Sequence, residues 1–348
     1  MPSCSPTWAQ ARFTGNPGLS RIVSFTARIA RSRSSSLYFL GAGMTPLSRR
    51  DQDPPPNPGR FSADMLRVTS TVPQYLALLD VAPGDRERAW VRGYEQAYAD
   101  LFEMYYAGYG HRDGHPAAVA LVPDLAPEIS EREARALLAL EHAASDFEGL
   151  GLLPGGTDLH VTLMVGTGHS NAWVRPVDGT PVLFVALELL PPEGHDDILV
   201  VHELVHVVQL QALLPALARR AELENHLGLR IWLEGLVVAA TRQLLPDRPA
   251  HHYFFVAGYD WPEQCRAALP QIAPTLLRNL EVCDATLTYA FVGVTEDQPW
   301  PGRAGYWIGD QVVTEIMQAG TELDDLLSWQ PERIVQALRT SALLTGRS

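Results

Sequence analysis

The sequence predicts an α+β fold, mainly helical, with a small mixed sheet preceding the helix that carries its most informative motif. Three observations predict it. Apolar residues recur at helical spacing in the first third, two β-branched apolar runs bounded by Gly and Pro occupy the middle, and helical patterning resumes after Pro191-Pro192. The 348 residues are 46% hydrophobic and 19% charged, which excludes wholesale disorder and provides for one sizeable core.

Residues 1 to 50 hold seven Arg and no acid, and they run into the Pro- and Gly-dense stretch 51–59. Such density continues neither helix nor ladder, so 1–60 reads as a disordered Arg-, Ser- and Pro-rich tail, or as sequence ahead of a true start at Met44 or Met65. The rest, 61–348, reads as a single domain: a helical part over 61–155, then strands and motif-bearing helices over 156–348. The overall charge of −13 therefore averages a basic first 50 residues with a remainder, 51–348, in which 20 Arg face 40 acids. The body is acidic and the chain has no Lys, which argues against nucleic acid as a partner. No apolar run approaches 18 residues, so no membrane span is expected. Three sparse cysteines without CxxC spacing exclude a disulfide framework and a cysteine-based zinc site, and point to a cytoplasmic protein.

In chain order, 61–110 is expected to be helical, with Trp90, Tyr94, Tyr98, Leu101, Phe102 and Tyr105 at mostly three- and four-residue steps. A second helix is expected from Ser130, where Ser130-Glu131-Arg132-Glu133 has capping-box spacing, to about Phe147. Leu159–Val165 and Val182–Leu187 read as strands, joined through a turn-rich loop over 166–171. Further helices are expected over about 196–214, 217–245 with a break near Gly228, 263–283, 306–319 and 331–343.

The helix after residue 196 contains His202-Glu203-Leu204-Val205-His206, an HExxH pattern that this composition yields by chance about 0.02 times. At i and i+4, the two imidazoles share one face a single turn apart and can reach one Zn²⁺ ion. Glu203, offset by one residue, stands beside the ion as a general base for water. Its aliphatic flanks mark a buried helix, where two His and a Glu are costly without strong partners.

A catalytic zinc needs a third protein ligand. Gln209 and Ala212 exclude the HExxHxxGxxH pattern. Glu222, Glu224 and His226 are candidates in a polar or loop-like stretch. Glu234 is the preferred one: it lies in the apolar run Leu229–Ala240, where a carboxylate needs a cation, and Gly235 beside it permits close helix approach. The competing explanation is an ion pair with Arg230 or Arg242.

Together, His202-Glu203-x-x-His206, Trp232-Leu233-Glu234-Gly235-Leu236 and Gly305-Tyr306-Trp307-Ile308-Gly309 resemble the gluzincin-type families of Zn-dependent proteases, over roughly residues 90 to 320. The resemblance implies a zincin-like domain holding one Zn²⁺ on His202, His206 and Glu234, with Glu203 as base and a peptide or protein substrate aligned on an edge strand. It also places Tyr306 at the start of a late helix, opening toward the metal as an oxyanion donor. Arg303, His251 and His252 are weaker candidates for that role, and His195 is expected to cap the start of the motif helix. The acid that many gluzincins carry one turn after the ligand Glu, to orient a His, is Val238 here. The expected function is a zinc peptidase. A non-catalytic scaffold of the same fold and a zinc hydrolase of another substrate are the alternatives.

Overall fold

A computed structural model describes residues 65–153, 158–256, 258–294 and 298–346. The proposed tail over 1–60 lies outside them. Helices and a four-stranded mixed sheet form an α+β architecture around one continuous apolar core.

The sheet is ordered β1-β2-β4-β3, from β1 (Leu66–Ser70), β2 (Leu159–Met164), β3 (Ala172–Val177) and β4 (Thr180–Ala186). β1, β2 and β4 run parallel, and β3 pairs antiparallel with β4 alone. Two strands escaped the sequence. Leu66–Ser70 lies inside the stretch expected to be helical, but its Leu66 and Val68 alternate with Arg67 and Thr69, and it docks beside β2. β3 leads into β4 through a tight turn in which Asp178 and Gly179 both take positive φ, as a type I′ hairpin turn requires.

The expected helix over 61–110 is instead broken into short pieces, including a π-helical turn at Trp90–Glu95, before α1 (Ala99–Gly108). The aromatic residues there pack into the core: Tyr75, Trp90, Tyr94 and Phe102 are buried in edge-on contacts. α2 (His115–Gly149) begins well before Ser130 and runs through Pro123 and Pro127. Burial of Val122, Leu125, Ala126 and Ile129 holds that stretch helical despite its lost hydrogen bonds. Glu133, the acid of the apparent capping box, instead accepts a hydrogen bond from the Ser70 hydroxyl and ties α2 to β1.

α3 (Asp196–Leu217) is the central element, packed against α2, β3, β4 and the following helix. Among the described residues it alone is long and apolar enough to cross a membrane by length and composition, contrary to the expectation that no such run exists. Its apolar window is 78% buried inside the protein, the signature of a core helix. Pro215 does not interrupt it. The break falls at 218–226, ahead of the one expected near Gly228, which lies inside α4 (Leu227–Leu244); that helix starts with His226 as its N-cap, Nδ1 accepting from the Leu229 N–H at 3.2 Å. α5 (Trp261–Asn279), α6 (Ala285–Val292), α7 (Ala304–Gln318) and α8 (Pro331–Thr340) complete the helical half.

α4 and α7 cross at backbone contact. A Cβ added at Gly235 would lie 2.0 Å from the Gly309 carbonyl carbon, and one at Gly309 would lie 2.1 Å from the Ile231 carbonyl oxygen. Only glycine permits this approach. The Arg242 guanidinium on α4 also forks onto the buried Asp310 carboxylate of α7, at 2.7 and 3.0 Å.

Candidate metal centre

α3 carries His202 and His206, and α4, packed alongside, carries Glu234. Their ligand atoms lie within 4.8 Å of one another, and all three residues are buried. His206 Nε2 is 3.4 Å and His202 Nε2 3.7 Å from Glu234 Oε2. Those separations are long for hydrogen bonds. They fit two ligands each about 2.0–2.1 Å from a shared tetrahedral ion, which stand about 3.3 Å apart. Both ring nitrogens of His202 are buried and have no hydrogen-bond partner, so the ring has a full set of polar atoms and nothing to satisfy them.

The protonation states suit metal ligation. Burial, with the neighbouring His206 and Arg303, outweighs Glu234 and pushes His202 down to about 4, so it is a neutral imidazole. Burial alone would raise Glu234. His206, His202 and Arg230 overcome it and hold the carboxyl well below the usual range. Arg230 is 4% exposed, and its Nη2 lies 3.5 Å from Glu234 Oε1. The ion pair that competed with metal ligation is therefore present, but it engages the other oxygen and leaves Oε2 facing the imidazoles.

Glu203 is buried beside this set, and one of its carboxylate oxygens has no hydrogen-bond partner. Burial raises its carboxyl to about 7, against the opposing charges of His206 and Arg230. Tyr306 enters from the first turn of α7, its ring parallel to that of His202 at 6.2 Å. Burial and the Glu234 charge push its phenol far above the usual range, so it is a neutral O–H donor.

The site is covered. The Phe255 ring meets His202 edge-on at 5.0 Å, and Arg303 donates from Nη1 to the carbonyls of Phe254 and Phe255 at 2.9 and 3.1 Å. Phe255 and Arg303 both have positive φ, 51° and 62°. His202 and Glu234 are completely buried beneath this layer.

The other candidates lie elsewhere. Glu222 is exposed and pairs with Arg220. Glu224 is raised to about 7 mainly by burial, against the opposing charges of Arg230 and Arg175, and is not among the converging ligand atoms. His226 caps α4. His195 occupies the N-cap position of α3, but its side chain makes no capping bond; it packs against His252 instead.

Gln209 was used in the sequence only to exclude a pattern, and its role emerges in three dimensions. Its Oε1 is 2.8 Å from His206 Nδ1 and its Nε2 donates to the Leu233 carbonyl at 3.1 Å. That acceptor assigns the Nδ1–H tautomer to His206 and frees Nε2 for a metal. The i+3 spacing from His206 is the signal that could have found it. His202 has no equivalent partner. Gln209→Ala is therefore expected to weaken zinc binding about 10- to 100-fold with little change in fold, measured by competition against a chromogenic chelator.

No family model, curated protein or solved structure matches the chain.

Proposed function

We propose that the protein is a zinc-dependent hydrolase, most directly a peptidase, with a zincin-like arrangement in which His202, His206 and Glu234 hold one zinc ion. The observation that carries this reading is the convergence of two imidazoles and an ionised carboxylate, from two helices, beside a buried carboxyl of elevated pKa. A bound dication supplies Lewis acidity, lowering the pKa of water and polarising a carbonyl.

The chain's own groups do the rest. Glu203 takes the proton of the attacking water on its carboxylate and passes it to the leaving amine. The Tyr306 hydroxyl donates to the developing oxyanion. Gln209 holds the His206 ring in its tautomer. An extended substrate would add to β3, the edge strand beside α3. β2 has β1 on one side and β4 on the other and offers no free edge.

The complete burial of His202 and Glu234 favours a second reading, in which a closed metal centre stabilises a scaffold for a protein partner. Cleavage of an unbiased peptide library by the zinc-loaded full chain separates the two. Products absent from a Glu203→Gln control support the peptidase. Identical profiles for the two proteins support the scaffold.

A further inference from the structure

Apart from the three-ligand centre, imidazoles meet at His111 and His169, with ring centroids 4.5 Å apart, and in a larger group where the start of α3 meets the segment Ala250–Phe254. His195 Nε2 lies 3.3 Å from His252 Nε2, with ring centroids 4.1 Å apart. His251 follows at 4.3 Å from the His252 ring, with Tyr259 at 4.1 Å on its far side. The same two segments are joined by the ion pair of Arg248 Nη2 with Asp197 Oδ2, at 2.6 Å.

Two imidazole nitrogens can face each other in two ways. One ring can donate its N–H to the lone pair of the other, which places the nitrogens near 2.9–3.0 Å. Alternatively both lone pairs converge on one ion, which sets them about 3.3 Å apart when each sits 2.0–2.1 Å from a tetrahedral centre. The observed 3.3 Å matches the second. His195 is exposed, so solvent can complete the coordination.

We propose that His195 and His252 form a second, solvent-facing site for a divalent transition ion of the zinc class, which pins the Ala250–Phe254 segment to the start of α3. Imidazole-only ligation selects zinc, nickel or copper over magnesium and calcium. The pinned segment leads directly into Phe255, which packs on His202, so this ion steadies the cover of the first centre without touching its ligands.

The test is zinc binding by the chelator-stripped full chain, followed by equilibrium dialysis against Zn²⁺ and metal counting. The wild type is expected to bind a tight zinc and a weaker one. His195→Gln and His252→Gln are each expected to weaken the second at least tenfold and keep the first. Glu234→Gln is expected to do the reverse, so failure at either centre is read separately. His195→Gln alters an exposed side chain, and its thermal melt verifies the fold. The proposal is overturned if both His variants keep the wild-type count and affinity, or if Glu234→Gln removes every bound zinc.

Discussion

Gly235→Ala is expected to cost about 3 kcal/mol or more of stability and to abolish zinc retention. The added methyl would sit 2.0 Å from the Gly309 carbonyl carbon and 2.2 Å from its Cα, against an ordinary carbon–carbon contact of about 3.5–4.0 Å. Both are backbone atoms, so no rotamer change relieves the clash, and α4 must move away from α7. The intrinsic preference of a helix for Ala over Gly, about 1 kcal/mol, offsets only part of this. Glu234 is the adjacent residue and Tyr306 lies one turn before Gly309, so the displacement reaches the candidate metal centre directly. Thermal denaturation and metal content read both effects. Gly108→Ala is the control: a methyl there meets nothing within 4 Å, and that variant should be as stable as wild type or slightly more so. A Gly235→Ala protein that melts like the wild type would contradict the observed helix crossing.

Glu203→Gln is expected to lower kcat about 10²- to 10⁴-fold while leaving zinc content unchanged. The substitution preserves shape and removes the proton acceptor. It also removes a buried carboxyl that burial raises to about 7, so no loss of stability is expected. The pairing of lost turnover with retained metal is what identifies a base. Loss of zinc along with activity would instead make Glu203 a ligand or a structural support. Retention of full activity would remove it from the chemistry altogether.

The site was far more legible in the sequence than the fold around it. HExxH encodes its geometry locally, because i and i+4 on a helix fix two imidazoles on one face. Glu234 and Gly235 were legible through incongruity, a charge and a glycine in an otherwise aliphatic helix. The glycines of Gly305-Tyr306-Trp307-Ile308-Gly309 gain a physical meaning from the structure: Gly309 sits against Ile231 and Gly235, and Gly305 against the Phe291 carbonyl. Long-range pairing was not legible. β1 is five residues long and depends on β2, nearly a hundred positions later, for its hydrogen bonds. α2 passes through two prolines because its buried face outweighs a local rule. The bond from Gln209 to the Leu233 carbonyl and the cover formed by Phe255 and Arg303 depend on contacts between separate elements, which no spacing encodes.

The central claim is that His202, His206 and Glu234 bind one metal ion together, and the most direct measurement is metal content by plasma mass spectrometry. It compares the full-length wild type with His206→Ala and Glu234→Gln, after dialysis against a buffer that strips weakly held ions. About one zinc per chain is expected in the wild type and essentially none in either variant. A wild type without zinc, or variants that retain it in full, would contradict the assignment.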